Sequence, residues 1–231
     1  IGHRQETHYP LERGPVGTIS ANLSGTENAL NFAKASGSEA SLIVSSLKVY
    51  GTLHTGKPYI EEDDNGYVDF TSYKNCYAIG KRAAETLAAS YSKQYEMNIR
   101  IVRPSYIFGA SRLDDDRVWA QFIANIVRGQ DILLKSNGAT NRSFCYVTDT
   151  VTAMLHVLLD GENCVPYNIS NEASNTTIRG FAQAACEVFP ERNMKLAFAN
   201  PEDEIMPEPS EDDPTPEIMD NKRIRSIGWE P

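Results

Sequence analysis

Two periodicities of apolar residues alternate along the 231-residue chain. From Ile19 to Ser36 the period is helical: Ile19, Leu23, Leu30 and Ala33 share a face, Phe32 lies off it as a second contact surface, and Gly37 closes the helix. The short run "SLIVSS", residues 41–46, has the length and bulk of a buried parallel strand. Residues 51–73 are rich in Gly, Pro and Asp and read as a long loop over the end of that strand, a place where function is often found. An alanine-rich helix follows from Asn75 to Tyr95. Its positions 77, 81, 84, 88 and 91 alternate steps of four and three, so Tyr77 and Lys81 extend the apolar stripe rather than the solvent face.

Beyond it, Ile99–Val102 reads as a strand broken at Pro104. The stretch "RVWAQFIANIVRG" is a helix closed by Gly129, and "DILLK" and "RSFCYV" are short strands. A helix capped by Thr148 or Asp149 stops at Gly161; a strand "VPYNIS" and a helix "TIRGFAQAACEVF" follow. Residues 200–217 are acidic and proline-rich and are assigned no regular structure. A last short helix has Asp220 as cap and Gly228 as terminator. Strands alternating with helices predict an α/β fold built on a parallel sheet.

Composition narrows the function. Hydrophobic content of 41% suits a globular domain, and no apolar run approaches the ~20 residues that span a bilayer. The first residues carry no apolar signal segment. The net charge of −9 argues against nucleic acid and anionic membranes as partners, and it requires local arginines or lysines wherever an anion binds. Cys76, Cys145, Cys164 and Cys186 are scattered without a CxxC pair, which points to reduced thiols of a cytoplasmic protein, with neither a metal site nor a disulfide framework.

Tyr77 and Lys81 are the candidate chemistry. A phenol is a poor base at neutral pH; a cation one helical turn away favours the phenolate and brings it toward the range a general acid/base needs. Residues i and i+4 on a helix are neighbours, so the spacing supplies the geometry. Ser45 and Ser46 stand at the carboxyl end of the first strand, where open parallel sheets bind ligands, and a hydroxyl there can face the phenol. A Tyr-x-x-x-Lys pair alone is common; the serine-ended strand before it and "VRPSYIFG" after it give it weight.

In this order "SSLKVYG", "YAIGK" and "RPSYIFG" resemble three motifs of the extended short-chain dehydrogenase/reductases, in the branch of NAD-dependent nucleotide-sugar epimerases, dehydratases and decarboxylases. "CYAIGKRAAETL" and "NRSFCYVTDTVTAML" look most like the UDP-glucuronate decarboxylase branch. The resemblance implies a Rossmann-type parallel sheet, here incomplete, flanked by helices, with residues 1–103 as the later half of the NAD-binding domain. Residues 104–231 would then be mainly a small α/β substrate-binding part, with some segments returning to the sheet. It implies Tyr77 as base, Lys81 as partner and ribose ligand, Ser46 on the reacting oxygen, Pro104 and Ser105 lining the nicotinamide pocket, and Tyr106, Arg117 and Arg142 on the substrate side. Arg142 would grip the diphosphate, Arg117 would assist it unless it belongs to a solvated loop, and Asn22 would stand near the site. NAD is the implied cofactor, with NADP open, a nucleotide-diphosphate sugar is the implied substrate, and the helices at 20–34 and 75–95 would pair two copies as a homodimer.

Three departures shape the expectation. The family's glycine-rich phosphate cradle does not occur; "GPVG", residues 14–17, lacks its third glycine, and "IGH", residues 1–3, resembles the end of the family's fourth strand, so the chain reads as a piece of a longer protein. Where the dehydratases and decarboxylases carry an acid after the hydroxyl, this chain has Leu47 and Lys48; a 4-epimerase survives that loss, and elimination or decarboxylation is the alternative. Tyr106 replaces the asparagine of the substrate motif. A remnant of the fold without catalysis is the reading from another class, and a strand with GxxGxxG ahead of Ile1 would separate the two.

Overall fold

The computed structural model describes residues 14–208, 210 and 212–231. The expected strand end at residues 1–3 lies outside these. Among the described residues fourteen α and β elements follow the predicted alternation. Strands β1 (Ser41–Val44), β2 (Ile99–Pro104) and β6 (Pro166–Ile169) form a parallel sheet in the order β1-β2-β6, with Ile43 beside Ile101 and Val102 beside Tyr167.

The pleat sends alternate residues to opposite faces and so fixes two helical layers. Ile43, Ile99 and Ile101 pack with Leu30 and Ala88, from helices α1 (Gly14–Ser36) and α2 (Cys76–Tyr95). Val102, Tyr167 and Ile169 face the other way, onto Ala153 and Val157 of α4 (Val147–Asp160), with Trp229 and with Ile224 of α6 (Lys222–Arg225) closing that core. Full burial of a side chain of this size stabilises by about 2 kcal/mol, so each face holds its helices firmly.

A second, smaller sheet joins β3 (Tyr106–Phe108), β5 (Asn141–Tyr146) and β7 (Asn175–Thr177); β3 and β5 run parallel, β5 and β7 antiparallel. Beside it, β4 (Ile132–Leu134) pairs with β8 (Leu196–Phe198), and helices α3 (Val118–Arg128) and α5 (Ile178–Glu187) close over them through Phe122, Ile126 and Ala182. Among the described residues no helix is long and apolar enough to cross a membrane. All four cysteines are free thiols.

Several expectations change. The helix α1 already includes Gly14, so "GPVG" is helical, and Leu23 of the expected stripe is exposed. Val44 is also exposed, since among the described residues β1 has only β2 beside it. β2 does not break at Pro104: Pro104 pairs with Ile169, and its missing N–H faces the side where β1 has already ended, so no ladder bond is lost. The break comes one residue later. Neither Thr148 nor Asp149 caps α4; β5 runs straight into the helix, Tyr146 takes the cap position without a side-chain bond, and both residues fall in the first turn. Strands β3, β7 and β8, three residues each, were too short to show a period. Residues 200–217 are not without structure: Pro201–Glu204 form a 3-10 turn, and Glu217 bridges to Arg142.

Candidate active site

The carboxyl end of β1 gathers the expected catalytic residues. Lys81 Nζ donates 2.8 Å to the carbonyl of Val44, the last residue of β1. Tyr77, one turn earlier, sets its ring with its centroid 5.7 Å from that ammonium. Ser46, two residues past Val44, is extended (φ −164°), and its Oγ accepts the Lys48 N–H at 3.2 Å, capping the 3-10 turn Leu47–Tyr50. Burial moves the Lys81 pKa below the ordinary lysine value, opposed only by the charge of Glu85. The cation is held by a carbonyl in a partly dry place, where its field is little screened.

The scaffold around this point is built for close approach. Asn22 of α1, its amide donating 2.9 Å to the Thr18 carbonyl, lies against Gly80 of α2; a Cβ at position 80 would stand 3.0 Å from that of Asn22. Glycine there lets the turn carrying Tyr77 and Lys81 sit flush on α1. Arg82 donates to the carbonyls of Val49 (2.6 Å) and Gly66 (2.8 Å), clamping the loop after Ser46 onto the same helix. Beneath the loop, Arg103 spans both oxygens of Glu85 (2.9 and 2.7 Å) and reaches the Tyr50 hydroxyl at 3.1 Å, which itself donates 2.5 Å to Asn168. Burial drives the Tyr50 phenol well above its usual range, so it stays a donor. The Arg103 network was not legible in the sequence, because Tyr50, Glu85, Arg103 and Asn168 come from four separate segments.

Two hydroxyls at neighbouring strand ends, Ser45 Oγ after β1 and Ser105 Oγ after β2, are buried with no hydrogen-bond partner among the described residues. Buried polar atoms are ordinarily satisfied, so this pair fits a polar group of a ligand reaching the strand ends beside Pro104. Ser105 was an expected cofactor residue; Ser45 was seen only as an alternative to Ser46.

The expected substrate residues form a charged knot around a carboxylate that sequence reading missed. Glu217 accepts from Lys48 Nζ (2.6 Å) and from the Tyr106 hydroxyl (2.6 Å), and it pairs with Arg142 Nη1 at 2.8 Å. Arg142 also stacks on the Tyr106 ring, 4.8 Å from its centroid. Burial pushes the Glu217 carboxyl up, but the charges of Lys48 and Arg142 and the bonds from Lys48 and Tyr106 outweigh it and hold the pKa below the usual glutamate value. Burial and the Glu217 charge push the Tyr106 phenol far up, leaving it protonated. The one sequence signal was the pair of departures, Lys48 and Tyr106, each needing a partner. Arg117 lies apart: it precedes α3, bonds Asp115 in its own loop and stacks on Trp119.

Comparison with known proteins supplies the setting. The model of the "NAD dependent epimerase/dehydratase family" matches residues 8–171. UDP-glucuronic acid decarboxylase 5 of Arabidopsis thaliana is 36% identical over 225 residues, covering 94% of this chain and 60% of that protein. UDP-glucuronic acid decarboxylase 1 of Danio rerio is 30% identical, covering 94% of this chain and 49% of its own length. The chain thus spans about 60% or less of the length of these curated relatives. Among solved structures, UDP-glucose 4-epimerase of Thermotoga maritima with UDP-glucose superposes with a TM-score of 0.76 at 20% identity, covering 95% of this chain and 67% of that one. The dTDP-glucose 4,6-dehydratase of Bacillus anthracis, in complex with NAD, gives 0.73 at 19% identity, with 94% and 64% covered. At these identities the structural likeness shows the fold, a mixed α/β architecture with parallel strands between helices.

Proposed function

The chain belongs to the NAD-dependent epimerase/dehydratase family, and from that premise we propose that it carries the catalytic and substrate-side half of an enzyme that oxidises a nucleotide-linked sugar at C4. The convergence of Ser46, Tyr77 and Lys81 at the end of β1 carries this reading. Tyr77 takes the proton of the sugar hydroxyl, Lys81 keeps a cation beside the phenol, and Ser46 holds the reacting oxygen. A bound nicotinamide dinucleotide supplies the hydride acceptor, and Tyr77, Lys81, Pro104 and Ser105, with the unpartnered Ser45, are the residues that would hold its nicotinamide end. The product of oxidation is a 4-keto sugar, and reduction from the opposite face gives the 4-epimer. Arg142 pairs with Glu217 through Nη1, and the rest of its guanidinium fork would grip the diphosphate.

In the full-length protein supplied with NAD and UDP-glucose, Tyr77→Phe is expected to lower formation of the 4-epimer by about a thousandfold. Its stability should change by less than about 1 kcal/mol, since only one hydroxyl is removed. Turnover near that of the wild type would remove this mechanism. Decarboxylation of UDP-glucuronate is the second reading, favoured by relatives at 36% identity; Lys48, where the family resemblance places an acid, weighs against it. Release of carbon dioxide from UDP-glucuronate tests it directly.

A further inference from the structure

Arg142, the residue that would hold the substrate's phosphates, is already paired with an anion of the protein's own. On the nucleotide-sugar reading above, we propose that Glu217 sets the affinity of the substrate site. Its carboxylate, seated on Arg142, works against the diphosphate, so the site draws little of its binding from the phosphates and most from the rest of the nucleotide sugar.

The opposition is direct. Glu217 Oε2 lies 2.8 Å from Arg142 Nη1, and the same nitrogen donates 3.1 Å to the Asn141 carbonyl. That end of the fork is committed inside the protein. Arginine holds a phosphate best through two parallel bonds along its planar fork, so a fork with one nitrogen taken grips less well. A phosphate on the rest of the guanidinium also meets the negative charge of Glu217 across it. Lys48, whose Nζ is 2.6 Å from Glu217 Oε1, does not restore the balance, because the carboxylate lies between the two cations and neutralises one of them.

Neither partner is free to turn away. The Arg142 guanidinium lies on the Tyr106 ring, and the Tyr106 hydroxyl donates 2.6 Å to the Glu217 oxygen that faces Arg142, so one aromatic side chain holds both. Their main chains run side by side in a parallel bridge, with Ser143 N–H donating 3.1 Å to the Glu217 carbonyl. On either side of Glu217, Thr215 N–H bonds the Leu53 carbonyl (2.7 Å) and Met219 N–H bonds Ser143 Oγ (3.0 Å). A carboxylate on so fixed a backbone stays in place when a ligand arrives.

The test is calorimetric titration of the full-length protein, with NAD present, by UDP and by uridine, which differ by the diphosphate alone. The wild type is expected to bind UDP at most about tenfold more tightly than uridine. Glu217→Gln, which keeps the shape and removes the charge, is expected to gain about tenfold for UDP and to keep uridine affinity within about twofold. A Glu217 that merely fastens the chain would leave UDP affinity unchanged or lower in the variant. That result, or a wild type in which the diphosphate adds more than about tenfold, overturns the proposal and leaves the nucleotide-sugar reading standing. The wild-type ratio decides even where the variant does not fold. Should the wild type bind neither UDP nor uridine, the nucleotide-sugar reading itself falls, and the proposal with it.

Discussion

Arg103 shows how much a single side chain can hold. It sits where β2 leaves the core, spans Glu85 on α2, and touches the Tyr50 hydroxyl and the Glu62 carbonyl (2.8 Å). Removing one member of a largely buried pair strands the other's charge, so Glu85→Ala is expected to cost about 3 kcal/mol in urea unfolding. Tyr77 and Lys81 were readable because helical spacing alone makes them neighbours, and Ser46 because strand ends bind ligands. Glu217 was not, since its partner Lys48 lies 169 residues away and only folding brings them together. Arg142 was expected to face a phosphate; it is found half-committed to a carboxylate.

At the scale of elements, the contact between α1 and α2 sets where the phenol and the ammonium stand. Gly80→Ala would gain helix propensity of about 1 kcal/mol but forces a Cβ to 3.0 Å from Asn22. Overpacking at so rigid a point costs about 2 kcal/mol, giving a net loss of about 1 kcal/mol in urea unfolding. Asn22→Gly removes the opposing Cβ and opens the contact instead, and a double-mutant cycle of Asn22→Gly with Gly80→Ala is expected to show a favourable coupling of about 2 kcal/mol. The long helices and the parallel strands were legible from their periods. The ends were less so: a strand that runs into a helix leaves no room for the cap that Thr148 or Asp149 suggested, and a proline past the end of β1 does not interrupt β2.

For the molecule as a whole, the acidic segment before α6 acts as a strap. Residues 215–220 bond Leu53 and Ile60 of the long loop and Ser143 of the small sheet, and the Glu217 knot closes the seam. Its pH dependence follows in sign from the carboxyl held below its usual range. The stabilisation is complete above the ordinary glutamate pKa of about 4.3 and is lost as pH falls through the lower folded value. Glu62 works the other way: burial raises its pKa, so its ionisation removes stability as pH climbs from the ordinary value through the raised one. Melting temperature against pH should therefore fall on the acid side in the wild type and fall less steeply in Glu217→Gln. The sequence showed this stretch only as charge and proline, because its order comes from bonds to distant backbone rather than from a period of its own.

The central claim is that the phenol on α2 removes the proton that lets the sugar be oxidised at the end of β1. Rapid mixing of the full-length protein with NAD and a UDP-sugar, followed by the absorbance of reduced nicotinamide, tests it most directly. The account predicts a transient rise in the wild type that Tyr77→Phe abolishes while UDP-sugar affinity is kept. An equal rise in Tyr77→Phe would contradict it.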